Sequence, residues 1–328
     1  MQFTRSRFLA AAGGTLAAAS LPLRAKAETP ARIGVDFAYY NPPSLVLKSK
    51  GWLDEALHAH GVGVDWVLSL GSNKANGYLA AGAVQFGSTA GSAAFLARAN
   101  GAPIRSVFLY SRPEWTALVV AKNAPYRDVR DLKGKKVAAT RGTDPWFFLL
   151  RTLRDAGLAP NDIELVDLQH PDGRAALERG QVDAWAGLDP HMAASQLDAG
   201  SRLLYRNLGF NTYGVLNARE DFLAQHGDIA AIVLRAYERA RKFAAAHPAE
   251  TAAILAGASK LDRRVADLQL RERTKYPGTG VPDDAYRATI ARVVPFVRQE
   301  KLARPDADLD LAAATLVDAR PATVALRV

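Results

Sequence analysis

Cysteine is absent from all 328 residues. That excludes disulfide cross-links, thiolate metal sites, a cysteine nucleophile and a lipid-modified cysteine anchor. Long apolar runs are also missing: after residue 27 no segment approaches the roughly 20 residues that span a bilayer. Blocks of like charge are missing too. The chain carries 42 basic and 33 acidic side chains, and four of the basic ones lie in 1–27, which leaves 38 against 33. A scattered excess of this size favours small anions in the general field and gives no footprint for nucleic acid. No Gly-x-Ser-x-Gly elbow and no Walker loop occurs, and no carboxylate pair stands at a spacing that identifies acid–base work. Six histidines offer only one close pair, His58 and His60. At i and i+2 they do not share a helix face, so a surface role is expected and no metal or cofactor is.

What is present begins with a targeting pattern. Arg5 and Arg7 precede an Ala/Gly/Leu-rich stretch from Phe8 to Leu23, and Ala25-Lys26-Ala27 forms a small-x-small cleavage site before Glu28. Thr4-Arg5-Ser6-Arg7-Phe8-Leu9 also resembles a twin-arginine signal in which Ser6 replaces the second arginine, so both the Sec and the twin-arginine routes stay open. The expectation is export to the periplasm with cleavage near Ala27. The remaining ~300 residues exceed a single typical core, so two lobes are expected.

From residue 32 onward, short β-branched runs alternate with amphipathic segments, the pattern of an α/β fold. Strands are predicted at Arg32–Phe37, Val62–Leu68, Val84–Gly87, Ile104–Tyr110, Val137–Ala139, Ile163–Leu168 and Ala184–Leu188. Asn41-Pro42-Pro43-Ser44 opens a helix that Gly51 ends, with prolines at the first helical positions and glycine just past the last. Further helices are predicted at Lys74–Ala81, from after Ser92 to Ala99, at Pro145–Ala156, Gly173–Arg179 and Met192–Ala199, and helices dominate after Asp221. Trp115–Ala121 and Tyr213–Asn217 are apolar segments expected to cross between lobes. The Asp/Ala-rich tail after Pro305 is expected to be partly ordered.

A series of short motifs then carries a likeness. Asp131-Leu132-Lys133-Gly134-Lys135-Lys136-Val137 is followed by Arg141-Gly142-Thr143 and by Ala156-Gly157-Leu158. Next come Ala175-Ala176-Leu177-Glu178-Arg179-Gly180-Gln181-Val182-Asp183-Ala184-Trp185 and Asp189-Pro190. With Gln85-Phe86-Gly87 and Leu47-Lys48-Ser49-Lys50-Gly51, the series resembles the periplasmic substrate-binding proteins of sulfonate, nitrate and taurine ABC importers, most of all the aliphatic sulfonate binders. The resemblance implies a type II periplasmic-binding-protein fold: two α/β lobes, two crossings, and C-terminal helices packing on lobe one. Lobe one would be 32–117 plus 214–328 and lobe two 118–213, with ligand in the cleft between them. It also implies a monomer that captures a small anion and presents it to a membrane permease.

A sulfonate spreads one charge over three oxygens and needs many donors, which free N–H groups at helix N-termini supply. Three strand-to-helix loops are candidates: Asn41–Ser44, Ser88–Ser92 and Gly142–Asp144. Ser88, Thr89, Ser92 and Thr143 would add hydroxyls, although such residues also cap helices for their own sake. Arg141 is a candidate for a bidentate fork on the anion or a solvated surface arginine. Tyr39, Tyr40, Trp115, Trp146 and Phe147 would wall an organic tail or serve as plain core. Asp36 and Asp144 would repel an anion beside them; Asp144 reads best as a helix cap. Asp189 caps a helix or faces the cleft, where it would suit a zwitterionic ligand. Nitrate, an aromatic sulfonate or a pyrimidine precursor stays open as the ligand. Sulfinate desulfinases and a pyrimidine-forming enzyme resemble the same family but depend on a reactive cysteine that this chain lacks.

Overall fold

The computed structural model describes residues 28–327; the expected export segment 1–27 and its cleavage site lie outside the described residues. Ten strands form two five-stranded sheets. They are β1 (Arg32–Phe37), β2 (Gly63–Leu68), β3 (Phe86–Ala90), β4 (Ile104–Ser111), β5 (Leu118–Val120), β6 (Lys136–Ala139), β7 (Glu164–Asp167), β8 (Ala184–Ala186), β9 (Arg202–Tyr205) and β10 (Gly214–Arg219). The first sheet runs β2-β1-β3-β10-β4 and the second β7-β6-β8-β5-β9. Each has a parallel βαβ half, in which β1 pairs β2 and β3, and β6 pairs β7 and β8. Each also receives one antiparallel strand at the point where the chain arrives from the other side. That strand is β10 in the first sheet and β5 in the second.

The crossings therefore do more than connect. The segments predicted as plain links supply sheet strands: β5 lies between β8 and β9, and β10 lies between β3 and β4. Their apolar composition follows, because a central strand is buried on both faces. Residues 112–117 and 206–213 run side by side between the sheets, tied by Thr116 N–H donating to Asn211 Oδ1 at 3.1 Å.

Helices α1 (Pro42–Lys50), α2 (Trp52–His58), α3 (Ser72–Ala80) and α4 (Gly91–Ala99) accompany the first sheet. Helices α5 (Asp144–Asp155), α6 (His170–Glu178) and α7 (His191–Asp198) accompany the second. Then follow α8 (Glu220–Gln225), α9 (Gly227–Ala246), α10 (Pro248–Ser259), α11 (Arg263–Leu268), α12 (Asp284–Gln299), α13 (Leu309–Leu316) and α14 (Arg320–Leu326). Local signals behave as their chemistry dictates. In α1, Asn41 Oδ1 accepts from Ser44 N at 3.3 Å, and Gly51 ends the helix at φ +67°, where a side chain would be strained. The tail after Pro305 is ordered, contrary to expectation: Asp308 Oδ1 caps α13, and Leu309, Ala312 and Leu316 are buried.

One core fills the first lobe around Val35, Phe86, Phe108, Leu216 and Tyr237, with α9 and α14 laid across it. A second core is continuous from α4 through α5 and the second sheet to α12 and α13, joining Phe95, Phe148, Phe296 and Leu316. The C-terminal helices thus reach beyond lobe one. Val265 of α11 packs on Ala193 and Ala194 of α7, and Phe296 of α12 stands 6.3 Å from the Phe147 ring. Among the described residues no helix is long and apolar enough to cross a membrane.

Candidate functional site

The carboxyl ends of the parallel strands in both sheets face the interlobe cleft, and each strand-to-helix loop there offers the start of a helix. The decisive question is which starts still have free N–H groups. In α1 none of the first ones does: Pro42 and Pro43 have no N–H, and Ser44 N donates to Asn41. In α4 the first two are taken by the second crossing, with Gly91 N donating to Tyr213 O and Ser92 N to Thr212 Oγ1. Two of the three expected anion cradles are therefore already satisfied by protein.

The third is open. Among the described residues no acceptor meets the backbone N–H of Gly142 or Thr143 at the start of α5. Gly142 holds φ at +74°, a conformation glycine adopts at no cost. A second open start was not predicted. Helix α3 begins at Ser72, two residues before the expected Lys74; its cap, Gly71, provides no side chain, and the N–H groups of Ser72 and Asn73 meet no acceptor among the described residues. The two starts come from opposite lobes and meet. A Cβ placed on Gly142 would lie 3.9 Å from Asn73 Cβ, and one on Gly71 would lie 2.8 Å from Asn73 Oδ1 and 3.3 Å from His170 Nε2.

Around this junction stand buried polar atoms with no hydrogen-bond partner: Asn73 Oδ1, Trp146 Nε1, Gln169 Oε1 and His170 Nε2. Buried polar groups are nearly always paired, so such a cluster marks a place built to meet something else. His170 is fully buried and neutral; burial, then the nearby His191, lowers its pKa to about 3. Its tautomer follows from Thr140, whose hydroxyl donates to Leu168 O at 2.6 Å and so accepts from His170 Nδ1 at 3.2 Å. Nε2 is then an unprotonated lone pair.

The other expected site residues divide into three groups. Tyr40, Asn41 and Ser88 form a buried polar cluster on Asp36 in the floor of lobe one. Ser88 N and Oγ donate to Asp36 Oδ1 at 2.8 and 2.7 Å, Asn41 Nδ2 to Ser88 Oγ at 2.7 Å, and Tyr40 OH to Ser88 O at 2.9 Å. Ser88 and Thr89 are not loop residues as expected: they belong to β3, opposite Leu216 and Val215 of β10. Thr89 Oγ1 is occupied by Asn217 Nδ2 at 2.7 Å. Burial pushes the Asp36 carboxyl up to about 6, against the pull of the Ser88 and Ser69 donors.

Ser92, Trp115 and Asp144 meet at the crossings. Asp144 accepts from Trp115 Nε1 at 3.0 Å, from Thr212 N and Oγ1 both at 2.8 Å, and from the Ser92 hydroxyl. The carboxylate does not cap its own helix as expected. It ties the start of α5 to the start of α4 and to both crossings, and burial raises its pKa against those four donors. Thr143 Oγ1 is consumed by Thr140 O at 2.6 Å, so only its N–H is free.

Three residues stand apart from the junction. Arg141 points to solvent with its side chain 58% exposed, 3.8 Å from Asp167. Tyr39 is half-buried against the apolar cluster that α1, α10 and α11 form with Leu45, Leu255 and Ala266 among its members. Asp189 is buried, accepts from Ala193 N at 2.9 Å, and pairs with buried Arg273 at 3.0 Å, a strut from the C-terminal segment to the second lobe. Gly71 to Asn73 and His170 were missed because each helix was begun two or three residues late. The signal available was a small-residue or Gln-His-Pro loop directly after a strand. Among the described residues no cluster of three or more metal-ligating side chains occurs.

This geometry has relatives. An aliphatic sulfonates-binding protein of Bacillus subtilis (strain 168) is 28% identical over 261 residues, 78% of this chain and 77% of its own. One of Escherichia coli (strain K12) is 34% identical over 177 residues; the match spans 53% of this chain and about half, 56%, of that relative. The alkanesulfonate-binding protein SsuA from Xanthomonas axonopodis pv. citri, solved bound to MOPS, shares the fold with a TM-score of 0.78 at 24% identity, over 89% of this chain and 99% of that one. The profile described as NMT1/THI5 like matches residues 40–251, from the start of α1 to α10. The chain belongs to the NMT1/THI5-like family and has its periplasmic-binding-protein fold.

Proposed function

We propose that this protein is the periplasmic solute-binding component of an ABC importer and captures an organic sulfonate between its lobes without reacting with it. The observation that carries the reading is the pair of open helix starts, α3 from one lobe and α5 from the other, facing each other in a buried cleft. Four unclaimed N–H groups at Ser72, Asn73, Gly142 and Thr143, with the positive ends of two helices behind them, suit a delocalised anion. Trp146 Nε1 is a further free donor on the first turn of α5. The names of the relatives support a sulfonate over nitrate.

The mechanism is closure. Lobe one, 32–117 plus 214–328, would hold ligand on the α3 start in the open form. Lobe two, 118–213, would swing on the crossings until the Gly142 and Thr143 N–H groups engage the same anion. Contacts available only when closed shift the population toward the closed state, which is the form read by a membrane permease. The protein acts as a monomer exported to the periplasm with cleavage near Ala27, and with no cysteine it lacks the nucleophile of the enzymes that resemble it.

Titration calorimetry of residues 28–328 with ethanesulfonate, taurine, a benzenesulfonate, nitrate, sulfate and a pyrimidine tests the reading. Micromolar or tighter binding of a sulfonate, weakened at least tenfold by Gly142→Val, is the expected outcome. Binding of nitrate or a pyrimidine with no response to any sulfonate would overturn it.

A further inference from the structure

The proposed anion site contains one group of the wrong polarity. Four buried polar atoms around the meeting of α3 and α5 have no partner: Asn73 Oδ1, Trp146 Nε1, Gln169 Oε1 and His170 Nε2. Trp146 presents an N–H to an anion as it stands. Asn73 and Gln169 can present one by a half-turn of the amide. His170 cannot, because its one ring proton is on Nδ1, facing the Thr140 hydroxyl at 3.2 Å. Nε2 therefore offers a lone pair where the neighbouring backbone offers donors.

The geometry fixes where that lone pair lies. His170 is fully buried in the second lobe, and Nε2 is 3.3 Å from the position that a Cβ on Gly71 of the first lobe would take. The next residue, Ser72, carries one of the four unclaimed N–H groups. An anion oxygen accepting from Ser72 N thus comes within reach of Nε2. Turning the ring to its other tautomer would require the Thr140 hydroxyl to leave Leu168 O, which it meets at 2.6 Å. No carboxylate is hydrogen-bonded to the ring among the described residues. His191 on α7 acts on the ring and opposes its protonation, and Arg174 on α6 acts in the same sense on His191. From the first lobe, Gly71 and Asn73 bring no charge. An incoming sulfonate is the first counter-charge that this ring meets.

We propose that capture of the anion is coupled to uptake of one proton by His170, whose Nε2–H becomes a further donor to the ligand as the lobes close. This rests on the sulfonate reading and adds to it a control by pH. Solvent supplies the proton, Nε2 takes it up, and the ring, now +1, faces a ligand of charge −1. Burial disfavours the cation in the free protein, and the same low dielectric strengthens its attraction to the anion once both are enclosed. By linkage the proton and the ligand each tighten the other by the same factor. A sulfonate does not itself titrate near neutral pH, so the proton has to settle on the protein. Affinity therefore rises as pH falls, by up to about tenfold per pH unit between the bound and free pKa values of the ring.

The test is titration calorimetry of residues 28–328 with ethanesulfonate between about pH 5 and pH 8. At about pH 6 it is repeated in bis-tris and in cacodylate, which differ in ionisation enthalpy and are not sulfonates. Wild type should bind at least tenfold more tightly at the acid end, with an apparent enthalpy that differs between the two buffers in the sense of proton uptake. His170→Gln, whose amide can donate without titrating, should bind with an affinity flat in pH and with one enthalpy in both buffers. Wild-type binding that is flat in pH, with no proton taken up, overturns the inference and leaves the sulfonate reading standing. So does undiminished uptake in His170→Gln, which puts the proton on another group. No binding of ethanesulfonate, taurine or a benzenesulfonate at any pH removes both. Should His170→Gln not fold, nitrogen-15 spectra of the wild-type histidine rings decide. Saturation with ethanesulfonate should leave one further ring protonated on both nitrogens, and a neutral ring protonated on Nε2 alone overturns the inference.

Discussion

Asp144 offers the sharpest test of the hinge, because its two nearest substitutions are expected to differ for a geometric reason. Its carboxylate faces four donors of two kinds: Oδ1 meets the hydroxyls of Ser92 and Thr212, and Oδ2 meets the N–H groups of Trp115 and Thr212. Hydroxyls can rotate and accept, whereas an indole or backbone N–H can only donate. In Asp144→Asn the amide can therefore direct its oxygen to the two N–H groups and its NH2 to the hydroxyls. It keeps every contact and loses only the charge assistance, a cost of under about 2 kcal/mol. In Asp144→Ala the two N–H groups are left buried and unsatisfied at about 1–3 kcal/mol each, or about 2–6 kcal/mol together. Urea unfolding of the three proteins at neutral pH reads the difference as a shift in midpoint at constant slope. Two outcomes would refute the reasoning: equal losses for Asn and Ala, or an Ala variant as stable as wild type.

Gly71→Ala places a methyl group 2.8 Å from Asn73 Oδ1 and 3.3 Å from His170 Nε2. Calorimetry should show ligand affinity down tenfold or more, with the unfolding midpoint of the free protein little changed. Arg273→Met leaves Asp189 buried without its cation and should cost about 3–5 kcal/mol in urea unfolding, most of it recovered by adding Asp189→Leu. His170 is held at about 3 against an ordinary 6.5, so the stability it contributes is full above pH 6.5 and is lost as pH falls through that window. His170→Gln should flatten the acid limb of a stability–pH curve by up to about 1.4 kcal/mol per pH unit. Asp36, raised to about 6, acts with the opposite sign above its ordinary 3.8 and is common to both proteins.

Strand and helix periodicity make most of the architecture legible in the sequence. β1 agrees to the residue, and α5 and α7 agree to within one at each end. What periodicity could not show was pairing. The crossing segments are apolar whether they link lobes or sit inside a sheet, so β5 and β10 could not be read as central strands. The short β9 was not foreseen. The same limit governed the site. A helix start is visible in sequence, but whether its N–H groups are free depends on long-range partners. Tyr213 and Thr212 silence α4 from 120 residues away, while Pro42 and Pro43 silence α1 from within. Asp144 read as a cap and is a hinge tie, because its partners Trp115 and Thr212 lie in two segments distant in sequence.

The central claim is that one anion is held by helix starts from both lobes. Amide 1H–15N spectra of the protein from Glu28, titrated with ethanesulfonate, test it most directly. The account predicts that the amides of Ser72 and Asn73 and those of Gly142 and Thr143 move together, saturating at one common affinity. Saturable binding that leaves either pair unmoved would contradict it.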